Sequence, residues 1–493
     1  MTNFQSSGSG LFILIPLVLY FACLFYLGFL GFKKTKTFSD YVLGSRKLGP
    51  IIGAMNVGAS DMSSWLLMGL PGVFYLYGLN QIWMVFGLIL GCYASWKIIA
   101  VRLRKYTEIA GDSLTLSSFL ENRFADKSGV LSVVTSLVII FFFTIYIASG
   151  FVGSAKLFAQ VFDISYFQSL AISCVLIISY ALLGGFLAVS WADLFQAMLM
   201  LLVLLFTPIF AVYLSPLSAA DFLQKTREIS PTHLMPFCNL KFAEMLGFFA
   251  WGLGYFGQPH IISKYMAIKD AKQIPLARKI CIYWMSLSMF GAALVGLLGF
   301  VYFSANPLKE PETVFIAMTS EIFHPLVIGI LIAAILAAIM STLNSQIIIC
   351  CGSLSKDFYQ RFFRKKAGEK EMLLVTRSGV VLVALVALAI AADENSSVLQ
   401  LVARAWAGLG AAIGPVILFA LFWQKTTKKA ALFGVISGGV GAIIFSKLPF
   451  FSYEILPAFL LSSLLIFVVS LLDKKQIPAS AASDFIRLKN EQI

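Results

Sequence analysis

The sequence predicts an all-α integral membrane protein of about thirteen transmembrane helices, with its N-terminus outside and its C-terminus inside. Three observations lead there. Of the 493 residues, 59% are hydrophobic and 12% charged, whereas a soluble chain has roughly a quarter charged. The apolar residues fall into blocks about 18–27 long, each enough for a helix to cross a hydrocarbon core roughly 30 Å thick. Backbone hydrogen bonding in lipid then demands helix rather than open sheet. Finally, with the N-terminus outside, about 30 of the 37 Lys and Arg fall at inward loops, inner span ends and the tail, and about 5 fall outward. That bias is the positive-inside rule, so the net charge of +13 reports topology rather than a nucleic-acid partner.

The predicted spans lie near 11–31, 50–76, 80–100, 129–156, 166–184, 190–214, 241–259, 280–303, 325–351, 376–391, 398–423, 430–446 and 454–472. The first lacks a basic leader and a small-residue cleavage site, so it reads as a retained helix. Six cysteines (Cys23, Cys92, Cys174, Cys281, Cys350, Cys351) lie in spans and Cys238 in an outward loop, a pattern without a disulfide framework or a zinc site. No loop exceeds about 30 residues, too short for a soluble domain, and the residues after the last span read as a short cytoplasmic tail.

Three spans depart from plain Leu/Ile/Val/Phe helix. The second contains "GASDMSSWLLMGLPG", residues 58–72, with Asp61, Ser63, Ser64, Gly69, Pro71 and Gly72. The seventh contains "FFAWGLGYFGQPHI", with Gly252, Gly254, Gly257 and Pro259. The ninth contains "AAILAAIMSTLNSQ", with Ser341, Thr342, Asn344 and Ser345. Gly and Pro at this density weaken helix, and freed carbonyls at membrane depth are tolerated where they line a cavity. Spans 2 and 7 open consecutive five-span blocks, and an odd repeat length forces opposite orientations, the pattern of an inverted-repeat transporter. The competing reading is that small residues merely let helices pack closely.

Ala338, Ser341 and Thr342 stand at i, i+3 and i+4, on one helical face. Two hydroxyls and a carbonyl there supply neutral oxygens for a hard cation, or the hydroxyls simply back-bond to their own helix. Asp61 is an intramembrane carboxylate, which marks an ion or substrate path, unless it pairs with Arg404. Asp193, near the inner start of span 6, belongs either to that path or to helix capping. Trp65, Tyr146, Trp251 and Tyr255 suit packing, or a small zwitterion with an apolar ring. His233, His260 and His324 read as loop or boundary residues, and no nucleophile–base set points to an enzyme.

The segments "GASDMSSWLLMGLPG", "FFFTIYIASG", "GGFLAVSWAD", "WGLGYFGQPHI", "AILAAIMSTLNSQ" and "AWAGLGAAIGPV" strongly resemble the bacterial sodium/solute symporter family, and within it the members that carry proline. The likeness runs from about residue 15 to residue 472. It implies a LeuT-like inverted five-plus-five helix repeat. Residues 1–49 would form a leading helix and loop, 50–214 the first repeat, 215–423 the second, and 424–493 two trailing helices and the tail.

The resemblance further implies sodium-coupled uptake of L-proline in the bacterial inner membrane, with the lipid bilayer and the two solutes as partners and no obligate protein partner. Another solute, such as pantothenate or a different amino acid, is the alternative; a sensor or channel is a further class. Sodium would lie on the backbone oxygens of Ala59 and Met62 and the oxygens of Ala338, Ser341 and Thr342. Asp61 and Arg46, in "GSRKLGP", match the coupling residues, to which Asp193 is added. The substrate region falls on Ser63, Trp65, Gly69, Tyr146, Trp251 and Tyr255. Ser64, which joins that region, stands where the family pattern "SDMSGW" has a glycine, and Arg404 stands where the pattern has an uncharged residue.

Overall fold

The structure is a computed structural model and describes residues 9–183, 185–238, 240–448, 451–473 and 478–490. Among them, ten helical stretches are long and apolar enough to cross a membrane. The residues before Ser9, and parts of the tail (474–477 and 491–493), lie outside the described residues. Large apolar side chains point outward from the peripheral helices, including Val18 and Leu19 of Ser9–Lys34 and Leu460 and Leu464 of Ile455–Leu472. That inversion of the soluble pattern is what a lipid solvent requires. The helix Pro325–Ser353 is the opposite case, buried almost continuously from Ile328 to Ser353.

Two interruptions define the middle of the bundle. In the first, the helix Pro50–Asp61 stops at Met62, whose φ of −85° and ψ of 84° leave the helical region. The chain resumes through a wide turn at Trp65–Gly69 into the helix Leu70–Tyr77. In the second, Phe242–Ala250 tightens at Trp251–Phe256 and restarts as Pro259–Ala267. Gln258 between them is extended (φ −81°, ψ 108°), as expected of a residue preceding proline. The glycines of the second interruption also serve close packing. A Cβ at Gly252 would stand 2.3 Å from the Gly87 carbonyl oxygen, and one at Gly254 would stand 1.9 Å from Nε1 of Trp406.

At one end of the bundle the chain before the first broken helix is joined to the chain after the second. Leu48 and Ile268 form a short parallel bridge, with Leu48 N–H donating to the Ala267 carbonyl (3.2 Å) and Lys269 N–H to the Leu48 carbonyl (2.9 Å). Beyond the bridge, the tail contains a helix, Ala479–Asn490, whose buried Phe485 lies 5.1 Å from the Arg123 guanidinium. The opposite end holds an open cavity of about 910 Å³ that reaches Trp251 in the second interruption.

Candidate functional site

The ninth predicted span meets the first interruption. Ser341 Oγ lies 2.7 Å from the Ala59 carbonyl and 3.0 Å from the Ala338 carbonyl, two acceptors within reach of its one proton; Thr342 Oγ1 lies 3.4 Å from the same Ala59 carbonyl. All three residues of the ninth span's face are buried, as are Ala59 and Met62. Helical spacing brings Ala338, Ser341 and Thr342 together on one face, and the end of the helix at Asp61 presents the Ala59 carbonyl to them. The result is a cluster of neutral oxygens with several lone pairs directed at one place. Ser341 combines both sequence readings, since its bond to Ala338 is local back-bonding and its bond to Ala59 crosses between helices.

Asp61 lies beside this cluster, buried (1% exposed). Tyr255, from the second interruption, donates its hydroxyl to Asp61 Oδ2, so the two broken helices meet through this pair. Trp65 Nε1 donates to the Asp61 carbonyl at 3.0 Å. Asp61 is therefore held by Tyr255 rather than by Arg404. Tyr146 packs edge-on to His260 at 6.0 Å, and Tyr255 edge-on to Trp406 at 5.0 Å. Trp251 stacks on Tyr453 at 4.7 Å, and its carbonyl accepts from Trp406 Nε1 at 2.8 Å. Ser63 Oγ lies 3.5 Å from the Trp65 amide. Gly69 backs onto Leu399, and Ser64 packs against Gly153.

Several buried polar atoms here have no hydrogen-bond partner among the described residues: Asp61 Oδ1, Ser64 Oγ, the Tyr146 hydroxyl and both ring nitrogens of His260. Buried polar groups are ordinarily paired. A concentration of unpaired ones between two broken helices suits a polar solute that supplies the missing partners.

Asp193 is no helix cap. It stands in the second turn of Phe186–Tyr213, fully buried, and accepts from Ser60 Oγ at 3.2 Å. Ser60 Oγ is also 2.9 Å from Ser345 Oγ. Lys264 Nζ lies 3.7 Å from Asp193 Oδ2, 3.2 Å from Asn56 Oδ1 and 4.6 Å from the Phe186 ring centroid. Sequence reasoning missed Lys264 and His260 because it ended the seventh span at Pro259. Both are buried in Pro259–Ala267, and a lysine within the mostly apolar run "PHIISKYMA" was the available signal.

Lys264→Met should lower the unfolding temperature in detergent, since breaking a buried pair by removing one partner costs about 3–5 kcal/mol. Adding Asp193→Asn should recover much of that loss. Equal thermal stability of Lys264→Met and wild type would contradict the pairing.

Arg46 lies at the bridged end and away from the Asp61 cluster. Its guanidinium donates to Asp112 (3.0 Å), Thr107 (3.1 Å), the Ser113 carbonyl (2.9 Å) and the Met266 carbonyl (2.8 Å). It thus fastens the end of the second broken helix to the neighbouring loop.

The profile of the sodium:solute symporter family matches residues 41–438. The high-affinity proline transporter PutP of Bacillus subtilis (strain 168) is 44% identical over 462 residues, covering 93% of this chain and 97% of its own. The sodium/proline symporter of Staphylococcus aureus (strain JH9) is 43% identical over 476 residues, covering 94% and 93%. Among solved structures, a Na+-coupled sialic acid symporter in a substrate-bound outward-open state superposes with a TM-score of 0.81 at 16% identity, over 95% of this chain and 98% of that one. Mhp1, a nucleobase-cation-symport-1 family transporter in a closed conformation, superposes with a TM-score of 0.55 at 14% identity, over 90% and 98%. At such identities the structural likeness is one of fold.

Proposed function

The chain belongs to the sodium:solute symporter family, and from that premise we propose that it is a multi-pass secondary active transporter that carries L-proline inward with sodium by alternating access. It moves its solute and does not transform it. The observation that carries the reading is the convergence of the Ser341 and Thr342 hydroxyls on the Ala59 carbonyl, beside buried Asp61, where a helix breaks. Proline as the solute is supported by the two relatives named for it, each aligned over most of its length.

The architecture is a LeuT-like inverted repeat with thirteen crossings. Three crossings add to the ten long stretches: Trp65–Ile109 divides where the chain turns at Gly78, and the helix Tyr166–Leu183 and the interrupted segment 242–267 each add one. Residues 50–214 and 215–423 form the two repeats, with 1–49 leading and 424–493 trailing. The bridged end, with Arg46, Arg104 and Arg123, faces inward by the positive-inside rule, so the N-terminus is outside and the C-terminus inside. The 910 Å³ cavity then faces outward.

Sodium, as co-transported cargo, binds the carbonyls of Ala59, Met62 and Ala338 and the hydroxyls of Ser341 and Thr342. Asp61 offsets the desolvation of the entering cation. Sodium bound across the break steadies the first interrupted helix, so the proline region built on it (Ser63, Ser64, Trp65, Gly69, Tyr146, Trp251, Tyr255) is better ordered when the ion is present. Asp193 extends the ion path inward from Ser60. Arg46 acts as a latch whose release from the Met266 carbonyl accompanies inward opening.

Uptake of labelled L-proline into proteoliposomes tests the reading: an inward sodium gradient should drive accumulation, and a potassium gradient of the same size should not. Accumulation indifferent to sodium, or sodium-driven uptake that excess proline fails to inhibit, would refute it. Trp251→Ala should weaken proline binding by roughly 1–3 kcal/mol, the scale of one lost pocket contact. Unchanged affinity would remove Trp251 from the pocket. For Ser64→Gly, a changed ranking of proline analogues is expected; an unchanged ranking would assign the hydroxyl to the backbone.

A further inference from the structure

We propose that the inward end of the bundle holds a site for one anionic phospholipid, with its phosphate on Arg123 and an acyl chain along the helix Lys428–Phe445. The headgroup part is a cavity of about 440 Å³ lined by Arg123, Ser128, Thr427, Lys428, Lys429 and Asp473, among others. It lies where three long helices end: Val130–Phe162 and Lys428–Phe445 begin there, and Ile455–Leu472 stops. Val130, Leu471 and Leu472 are exposed at those ends. Apolar surface thus gives way to charge at this cavity, the depth at which basic pockets between helices meet lipid headgroups. The orientation argued from the positive-inside rule makes it the inner leaflet.

Arg123 is the anchor. It is 1% exposed, yet its Nη1 and Nη2 have no hydrogen-bond partner among the described residues. Its Nε donates to the Ala420 carbonyl at 2.9 Å, and its Cζ lies 5.1 Å from the ring centroids of both Phe124 and Phe485. Those contacts fix the guanidinium and leave the edge that takes a phosphate through parallel N–H donors. Asp484 of the tail helix is near enough to feel this charge, but no described carboxylate lies within 4.0 Å of it. The two lysines are engaged locally: Lys428 Nζ is 3.0 Å from Asp126 Oδ1, and Lys429 Nζ is 4.0 Å from Asp473 Oδ1. The described lining carries three cations and one carboxylate, and two helix N-termini add partial positive charge. That excess selects a headgroup of net negative charge.

A second feature continues from the first along one helix. Lys429 and Leu432 line the cavity, while Phe433, Ile436, Val440 and Ile444 line a shallow apolar groove of about 260 Å³ that Leu461 of Ile455–Leu472 borders. Steps of three and four residues carry positions 429, 432, 436, 440 and 444 along one face. At 1.5 Å per residue that face rises roughly 22 Å, more than the roughly 15 Å of hydrocarbon in one leaflet. The four groove residues are exposed, as a surface covered by lipid should be. An apolar groove that starts at a basic cavity is the complement of a phospholipid and not of a free phosphate ion.

Binding of phosphatidylglycerol to the purified full chain in neutral detergent, read by native mass spectrometry, tests the site. Phosphatidylcholine with the same acyl chains and glycerol phosphate serve as comparisons. Wild type should retain one phosphatidylglycerol per chain at concentrations where neither comparison is retained. Arg123→Gln should weaken that binding about tenfold, the scale of one charge-assisted contact. Lys429→Gln, at an exposed position, should weaken it several-fold and decides the matter if Arg123→Gln does not fold. Val440→Trp, which fills the groove from its lipid side, should also weaken it several-fold. Lys356→Gln removes an exposed inward lysine outside this cavity and should stay within about twofold. Equal retention of the two lipids, or equal losses in Lys356→Gln and Lys429→Gln, would reduce the attraction to general surface charge and overturn the site. Glycerol phosphate bound as tightly as the lipid would assign the cavity to a free phosphate and overturn the phospholipid.

Discussion

Asp61→Asn should reduce sodium-dependent proline uptake by at least about a hundredfold while the protein still folds into the membrane. The amide keeps the shape of the carboxylate and can still accept from Tyr255, so the contact between the broken helices survives. What disappears is the negative charge. Two unit charges a few ångströms apart interact by about 4 kcal/mol at an effective dielectric of about 20, and roughly 1.4 kcal/mol is a factor of ten in affinity. The cage oxygens themselves are neutral, so no other formal charge among them compensates the dehydrated ion. Transport by the variant that equals wild type at low sodium would show that the charge is dispensable.

Ser341→Ala and Thr342→Ala should each raise the sodium concentration for half-maximal uptake, Ser341→Ala by about tenfold or more. Proline affinity at saturating sodium should change little. Ser341 is expected to matter more because its Oγ bridges the Ala59 and Ala338 carbonyls at 2.7 and 3.0 Å, while Thr342 stands 3.4 Å from Ala59. Ser341→Ala deletes the oxygen alone, and Thr342→Ala deletes its oxygen together with one methyl group, so packing changes little at Ser341 and by one methyl group at Thr342. If the hydroxyls only back-bond to their own helix, sodium dependence will be the same in the variants and wild type.

Much of the membrane architecture was legible because hydropathy and charge asymmetry are properties of composition along the chain, and lipid imposes helix wherever the run is long enough. Asp61 and the Ala338–Ser341–Thr342 face were legible for a related reason: polar groups in apolar runs stand out. Which polar groups meet was not. Asp61 with Tyr255, or Ser60 with Asp193 and Ser345, depends on how distant segments cross, and helical spacing within one span does not fix that. Lys264 and His260 were obscured because Pro259 looks like the end of a helix, when it begins the second half of a broken one. The glycines of the second interruption carried two meanings, and the structure assigns them to close contact with Gly87 and Trp406 as well as to the break.

The central claim is that sodium at the Ala59–Ser341–Thr342 oxygens and proline at the broken helices are coupled. Linkage makes that claim quantitative, because each ligand must change the affinity of the other by the same factor. Binding of labelled sodium should be measured with and without saturating proline, and binding of labelled proline with and without saturating sodium, all on the purified wild-type chain. The account predicts two ratios that agree, each well above one, and both falling towards one in Asp61→Asn. Proline affinity that is the same with and without sodium would contradict it.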